Sequence, residues 1–376
     1  MADAQGRHPL AADLDHVLEH ARPAWEALRG ARIYVTGGTG FVGSWLLESF
    51  VWANTRLSLG AELVALTRDP ESFAARLPHV AADPAVSLLQ GDVRQPIRPA
   101  GNFTHVIHGA VAANAKLNCE RPRDMVDTIV EGTRHTLALA ESAGAVRLLL
   151  ISAGAVYGRQ PPDVTHLPEE FTGAPDSMDV SDAVHAYGVS KRVAESMAAL
   201  YGRYTGCGVS VARCFSFVGP YLPLDWHFAI GNFIGDALRG GPIRLTGDGS
   251  PYRSYLYAAD LAVWLWTILV DGAPGRAYNV GSERVVSLWE AAGTVSETLR
   301  EMGAGPPTRA REPNPSAPAS RYVPSTRRAR EELWLEEWIS LEEAIRRTWK
   351  WHARAGQAGP RPSPVGGHSR RPGAPR

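Results

Sequence analysis

RIYVTGGTGFVGSWLL, residues 32–47, decides the fold. Ile33, Tyr34 and Val35 read as a buried strand, and Gly37, Gly40 and Gly43 then stand at three-residue intervals before an apolar helix start. Glycine lets such a turn take backbone angles that other residues resist, and lets the backbone approach a ligand with no Cβ in the way. The first free amides of the helix point over the turn, where the helix dipole adds about half a positive charge. A pyrophosphate fits that description. Glycine-rich turns between strand and helix are common, so the remainder of the chain has to decide whether this one binds.

Working outward, short apolar runs alternate with helical patterns. A helix is expected from Phe41 to about Trp52, with strands at 61–67, 86–89 and 105–108, a helix over 124–143, and a strand at 147–151. Short strands separated by crossover helices imply a doubly wound, parallel α/β sheet whose ligands lie beyond the carboxyl ends of the strands. Residues 159–184, rich in Pro, Asp and Glu, read as a loop long enough to cover a site. After it come a helix over 187–204, a strand at 210–213 and a helix over 228–238. Short strands and turns at 242–260 and a Trp-rich helix at 261–270 follow.

Upstream, Leu14, Val17, Leu18, Trp25 and Leu28 predict a short amphipathic helix, interrupted at Pro23 and packed on the first strand. Downstream, 306–324 is Pro-rich and irregular, 325–353 forms one or two amphipathic helices, and the tail from 356 has no means of making a core. The expected organisation is a helical prefix (1–30), a dinucleotide-binding domain (31–215), a smaller substrate-binding lobe with segments returning to the main body (216–355), and a disordered tail (356–376).

Composition narrows the function. The 376 residues are 44% hydrophobic, enough for a sizeable core, and Lys plus Arg and Asp plus Glu both number 39, so no basic face for nucleic acid is implied. Cys119, Cys207 and Cys214 lack metal-ligand spacing and fit reduced thiols in a cytoplasm. No apolar run is long enough to span a bilayer, and the acidic N-terminal stretch resembles no signal peptide or anchor. A soluble cytoplasmic protein without metal, nucleic-acid or membrane partners is expected.

Tyr187 and Lys191, in AYGVSK, are four apart on an expected helix, so one turn brings both to the same face. A nearby ammonium stabilises a phenolate and lowers the phenol's proton affinity. Tyr187 could then take a proton from a sugar hydroxyl while Lys191 also holds a ribose. The plain alternative is a surface Tyr and Lys on an ordinary helix.

TGGTGFVG at 36–43, GDV at 91–93, HGA at 108–110, VYG at 156–158, AYGVSK at 186–191, VGP at 218–220, GDGSPYRSYLYAAD at 247–260 and YNVGS at 278–282 occur in one order. Together they resemble the extended short-chain dehydrogenase/reductases of the NAD-dependent epimerase/dehydratase family, which act on nucleotide-diphosphate sugars. The resemblance spans Arg32 to Ala353. It implies a Rossmann fold, a tightly held nicotinamide cofactor, and oxidation of a sugar carbon, commonly C4, to a transient ketone, with Tyr187 as base and later acid. Carried over by motif, Gly37, Gly40, Phe41 and Val42 meet the pyrophosphate, Asp92 and Val93 the adenine, and Ala110 lies near the ribose. Family members often dimerise through a four-helix contact, here supplied by helices 124–143 and 187–204.

Departures from the pattern matter equally. Where the family carries a Ser or Thr before Val-Tyr-Gly, this chain has Ala153, with Ser152 beside it as a replacement only if the backbone twists at the strand end. Where 4,6-dehydratases carry an Asp-Glu pair, it has Gly154 and Ala155, which disfavours that dehydration unless Glu169, Glu170 or another loop carboxylate substitutes. Epimerisation and ketone reduction survive the loss better. At the end of the second strand, Thr67-Arg68 replaces the acid that would bind the NAD ribose and suits the phosphate of NADP, although Asp69 follows and could serve NAD. Arg253 could clamp a diphosphate or pair with a neighbouring acid, and Asn232, in WHFAIGNF, could meet a nucleotide base, with Trp226 and Phe228 as aromatic surface or core. Trp264, Trp266 and Trp289 read as packing, and His108 as structural. A cofactor-binding regulator without turnover and a purely structural protein are the contrasting readings.

Overall fold

A computed structural model describes residues 8–111, 120–179, 183–225, 228–245, 247–304 and 319–357. The expectations for residues 1–7, Cys119, Trp226, most of the Pro-rich stretch and the tail from 358 lie outside the described residues. In chain order the elements are α1 (Ala11–His20), α2 (Arg22–Ala27), β1 (Arg32–Thr36), α3 (Phe41–Leu57), β2 (Glu62–Thr67), α4 (Pro70–Arg76), α5 (Pro78–Ala81), β3 (Val86–Gln90), β4 (His105–His108), α6 (Pro122–Ser142) and β5 (Arg147–Ala153). After a 3-10 turn (Gly154–Tyr157) come α7 (Ala183–Thr205), β6 (Gly208–Cys214), β7 (Phe217–Val218), α8 (Ala229–Leu238), β8 (Tyr252–Arg253), β9 (Leu256–Tyr257), α9 (Ala258–Asp271), β10 (Arg276–Val280), β11 (Val286–Ser287), α10 (Leu288–Glu301), β12 (Arg321–Tyr322), α11 (Arg327–Leu333) and α12 (Leu341–Gln357).

Seven strands form one sheet in the order β10-β6-β5-β4-β1-β2-β3, every neighbouring pair parallel. The chain winds outward in both directions from β1 and β4, so the crevice at their carboxyl ends is the place where such a sheet binds ligands. Alternation along each strand feeds two cores. Ile33, Val35, Leu63, Ile107 and Leu149 face Trp45, Phe50 and Trp266 on one side, and Tyr34, Val64, Val106, Leu148 and Val211 face Met125, Ile129 and Ala198 on the other. The remaining short strands pair as β11-β8-β12 and β7-β9, next to the carboxyl edge region that the chain builds after residue 216.

Two expectations are corrected. The prefix does not pack on the first strand: α1 and α2 lie against α9, α1 also against α3, and Trp25 meets Trp266 at 4.7 Å between ring centroids. β1 is a central strand, hydrogen-bonded on both edges and covered by crossover helices, so a prefix finds its apolar partner one layer farther out. The helix after the glycine turn also runs on to Leu57, ending where Ser58 turns left-handed at φ 49°.

His108 is a satisfied core residue at the end of β4, with Nδ1 2.7 Å from Thr36 Oγ1 and Nε2 3.1 Å from Thr133 Oγ1. Burial first, and then the charge of Lys191, pushes its pKa down to about 3; burial and Arg147 push His105 to about 4. Both folded-state values lie below the unfolded one, so the unfolded chain binds protons first as pH falls. Stability is therefore complete above about pH 6.5 and falls below it, by about 1.4 kcal/mol per pH unit for each histidine. Urea melts between pH 7 and 4 are expected to follow that slope, and His108→Gln should make it shallower.

Candidate active site

The glycine turn is closed by contact rather than by flexibility. Gly37 has φ +77°, and a Cβ there would lie 2.5 Å from the carbonyl carbon and oxygen of Gly109, just past β4. A Cβ at Gly43 would lie 2.3 Å from the Gly37 carbonyl oxygen, so the first turn of α3 sits directly on the loop. Thr36 Oγ1 receives the Ala110 N–H at 3.2 Å and locks the two strand ends together. Gly40 is the N-cap of α3 and makes no side-chain cap, and the amides at Phe41 and Val42 open the helix. Free amides, the positive end of a 17-residue helix and a backbone that only glycine permits fit a pyrophosphate of a dinucleotide.

At the rim of this cradle the sequence expectations need adjustment. Arg68 is exposed just after β2, and its charge reaches Asp92. Asp69 is the N-cap of α4, its Oδ1 accepting the Ser72 N–H at 2.9 Å. Asp92 is held by Arg94, whose Nη2 lies 2.6 Å from Oδ2, and that bond leads the forces keeping its carboxyl below the usual range. Val93 is buried, and a Cβ on Gly132 of α6 would lie 3.0 Å from it.

Tyr187 and Lys191 do share one face of α7, at the end of β5. Lys191 is 3% exposed, and its Nζ donates to the Ile151 carbonyl at 2.8 Å and lies 5.9 Å from the Tyr187 ring centroid. The expected lowering of the Tyr187 pKa is corrected: burial, with a small push from Cys214, raises it well above its ordinary value. Burial equally pushes Lys191 down to about 8, against Cys214 and Glu195, which hold it up. Lys191 has lost its water and Tyr187 much of it, and the ammonium is bonded to a carbonyl, so desolvation outweighs attraction.

Ser152 does not replace the hydroxyl missing at Ala153. It is 2% exposed and donates to Glu195 Oε1 at 2.6 Å. Glu195 is also clamped by Arg213, Nη2 to Oε2 at 2.7 Å, and Arg213 reaches the Tyr157 hydroxyl at 2.9 Å, which in turn donates to Asn279 Oδ1 at 2.8 Å. This network ties β5, β6, β10 and α7 together. The loop carboxylates are committed too: Glu169 accepts the Asn279 N–H at 2.8 Å and Glu170 pairs with Arg328 at 2.7 Å.

Instead the structure brings in Tyr322, which the sequence reading passed over in an irregular stretch. A Cβ on Gly154 would lie 2.8 Å from the Tyr322 hydroxyl and 2.6 Å from the Phe215 ring. Tyr322 is partly buried, its hydroxyl makes a long contact to the Cys214 carbonyl at 3.5 Å and hydrogen-bonds the Ala155 backbone, and it lies within electrostatic reach of Tyr187 and Arg253; burial is the first cause that raises its pKa. It is opposite Arg253 in the β8–β12 pairing. The 159–179 loop holds this segment down, Leu167 N–H bonding to Val323 O at 2.8 Å and Val323 N–H to Gln160 Oε1 at 3.0 Å. Arg253 donates to the Tyr252 carbonyl at 2.8 Å, and burial lowers its pKa. Among the described residues no carboxylate pairs with it, which removes the salt-bridge alternative there: Asp248 accepts from Ser250, and Asp260 from the Trp338 and Ile339 amides and His16. Asn232 is partly buried on α8. Trp264 and Trp266 are core, with their indole N–H groups donated to Glu336 O and Ser49 Oγ at 2.9 Å.

Cradle, helical Tyr-Lys pair and strand order describe a dinucleotide-dependent enzyme of the extended short-chain type. Residues 33–281 match the NAD dependent epimerase/dehydratase family, and the chain belongs to that family. It is 30% identical over 317 residues to UDP-glucuronic acid decarboxylase 1 of Arabidopsis thaliana, covering 84% of this chain and 68% of that protein. With UDP-glucuronic acid decarboxylase 1 of Xenopus tropicalis it is 28% identical over 340 residues, covering 89% and 76%. Among solved structures, DesIV, a dTDP-glucose 4,6-dehydratase from Streptomyces venezuelae with NAD bound, superposes with a TM-score of 0.71 at 25% identity, covering 87% of this chain and 98% of that one. The UDP-glucose 4-epimerase of Thermotoga maritima gives 0.71 at 20% identity, covering 86% and 99%, a likeness of fold.

Ser152→Ala deletes a buried hydrogen bond to a charged group, so it should cost about 1.5–3 kcal/mol of stability. Denaturant melts measure this directly; an unchanged midpoint would mean that the Ser152–Glu195 bond contributes nothing.

Proposed function

We propose that this protein is an NAD-dependent, epimerase-type enzyme that oxidises a nucleotide-diphosphate sugar, at C4, to a transient ketone. The observation that carries the reading is buried Lys191 one turn from half-buried Tyr187 beside a glycine cradle, with half-buried Arg253 without a carboxylate partner among the described residues. NAD held there supplies the acceptor and later the donor of a hydride. The glycine turn and the α3 amides bind its pyrophosphate, with Asp92, Val93 and Ala110 along the adenosine, and Lys191 holds a ribose. Arg253 clamps the sugar's diphosphate, and Asn232 is the contact offered to the base. Tyr187 takes the proton of the reacting hydroxyl, Lys191 stabilises the phenolate, and Tyr322 turns its hydroxyl from the long 3.5 Å contact with the Cys214 carbonyl to donate a hydrogen bond at the Gly154 turn, where Ala153 has nothing to give. Arg68 also offers a cation to a 2′-phosphate, so NADP is the alternative cofactor, and the family favours NAD.

Gly154 and Ala155 supply no acid or base for expelling water, so the ketone is either reduced on its other face or used as an electron sink. The similarity to UDP-glucuronic acid decarboxylases supports the second outcome as the alternative to epimerisation. A carboxyl at C5 is β to a C4 ketone, so the C5–C6 bond can break with its electron pair passing to the ketone oxygen, and a proton then adds at C5. That step needs hydrogen-bond donors at the oxygen, which Tyr187 and Tyr322 provide, and no further acid pair.

Purified protein incubated with NAD and a panel of UDP-, dTDP-, CDP- and GDP-sugars, including UDP-glucuronate, should return an epimer or a pentose with released carbon dioxide. No altered sugar with any of them would overturn the reading. Tyr187→Phe should keep bound cofactor and lower kcat roughly 100- to 10,000-fold. Tyr322→Phe should lower kcat about 5- to 10-fold, the worth of one hydrogen bond, with KM and melting temperature little changed.

A homodimer through α6 and α7 is part of the same proposal. Val193, Leu200 and Tyr204 are 39%, 54% and 81% exposed, and their spacing of seven and four puts them on one side of α7. Leu200→Asp should convert the dimer to monomer in light scattering after gel filtration; a monomeric parent protein would defeat the proposal. Free, buried Cys207 and Cys214 support a reducing, cytoplasmic setting.

A further inference from the structure

Away from the crevice, three side chains from separate elements converge on one point: His8 ahead of α1, Glu48 of α3 and His79 of α5. His79 Nε2 is 2.9 Å from Glu48 Oε2, His8 Nε2 is 3.2 Å from His79 Nε2, and His8 Nε2 is 3.5 Å from Glu48 Oε2. The Glu48 side chain is 2% exposed, and its other oxygen accepts the Tyr221 hydroxyl, which fixes the carboxylate in place. His8 and His79 side chains are 17% and 36% exposed, leaving one side of the cluster open to water.

Hydrogen bonds alone do not satisfy this arrangement. His8 Nδ1 accepts the Leu10 N–H at 3.2 Å, so neutral His8 carries its proton on Nε2. If His79 Nε2 also carries a proton for Glu48, two N–H groups face each other across 3.2 Å. If it does not, its lone pair faces the carboxylate across 2.9 Å. Charging a histidine adds a further proton to the same crowd. One centre that accepts lone pairs from all three atoms removes the conflict.

We propose that His8, Glu48 and His79 bind a divalent transition-metal ion, with zinc the best match to two imidazoles and one carboxylate and water completing the shell. Ligand atoms about 2.0–2.2 Å from a tetrahedral metal stand roughly 3.3–3.6 Å apart, so the three atoms need to shift by only a few tenths of an ångström. Coordination through His8 Nε2 moves that imidazole's proton to Nδ1, and the long Leu10 contact gives way. His8 is therefore the weakest of the three ligands. The ion would fasten the start of the chain to the helix that leads out of the glycine turn, independently of any sugar chemistry.

The test uses untagged full-length protein, stripped with EDTA and gel-filtered, then titrated with zinc sulfate by calorimetry and analysed for bound metal. One zinc per chain is expected, with a higher thermal midpoint, and cobalt(II) should give a visible absorption band. His79→Ala should weaken binding by more than about 100-fold, beyond the loss of an outer-shell partner. His8→Ala should weaken it less. His20→Ala, in the separate His16–His20 pair, should change nothing. No zinc retained, or zinc retained equally by His79→Ala, or lost instead in His20→Ala, would overturn the proposal.

Discussion

The fold cannot relax the approach of Gly37 to Gly109. With a would-be Cβ only 2.5 Å from the neighbouring backbone, the ends of β1 and β4 touch through main chain alone. That contact fixes the start of α3 above the sheet, because Gly43 in turn leaves no space over Gly37. The helix dipole, the free amides and the crevice between diverging crossovers are thereby aimed at one place. Glycines in this stretch act less as flexible joints than as the absence of side chains where two backbones must meet.

On the other side of the crevice the equivalent constraint is electrostatic. Arg213 and Glu195 are largely buried, and such a pair is stable only when its remaining hydrogen-bonding capacity is filled. Ser152, Tyr157 and Asn279 fill it, at 2.6–2.9 Å. Because Ser152 is paired with Arg213 in the β5–β6 register, the network starts at the last rungs of the sheet and grips α7 one turn below Lys191. The helix bearing Tyr187 is thus held by its polar side, while a Cβ on Gly188 would lie 2.5 Å from Ala155 O, pressing the same helix onto the Gly154 turn.

Patterns confined to a few neighbouring residues were legible in the sequence. The glycine spacing, the apolar strands 105–108 and 147–151, and the four-residue interval of Tyr187 and Lys191 all announce local geometry, and the structure contains each of them. What escaped depends on partners distant in sequence. Tyr322 lies among prolines and prolongs no periodic element; only the pairing of β12 with β8, and the loop segment around Leu167, carry it to Gly154. Ser152 looked available because nothing local names Glu195 as its acceptor. The cap role of Asp69 in α4 also went unread, because it depends on where β2 ends. The prefix was assigned to the wrong layer because amphipathicity tells that a face is buried without telling against what.

The Tyr187–Lys191 pair shows why that distant network matters for chemistry. Burial makes each charged form costly, which is why the phenol is pushed up and the ammonium down to about 8. Such groups charge most cheaply together, phenolate beside ammonium. Two other groups stand within electrostatic reach of Lys191 as possible competitors. Cys214 has its thiol pushed up to about 12 by burial, against the attraction of Lys191. Glu195, one helical turn on, is already neutralised by Arg213 and bonded by Ser152. The clamp that looks purely architectural therefore engages both oxygens of the nearest carboxylate and leaves the ammonium bonded to the Ile151 carbonyl instead.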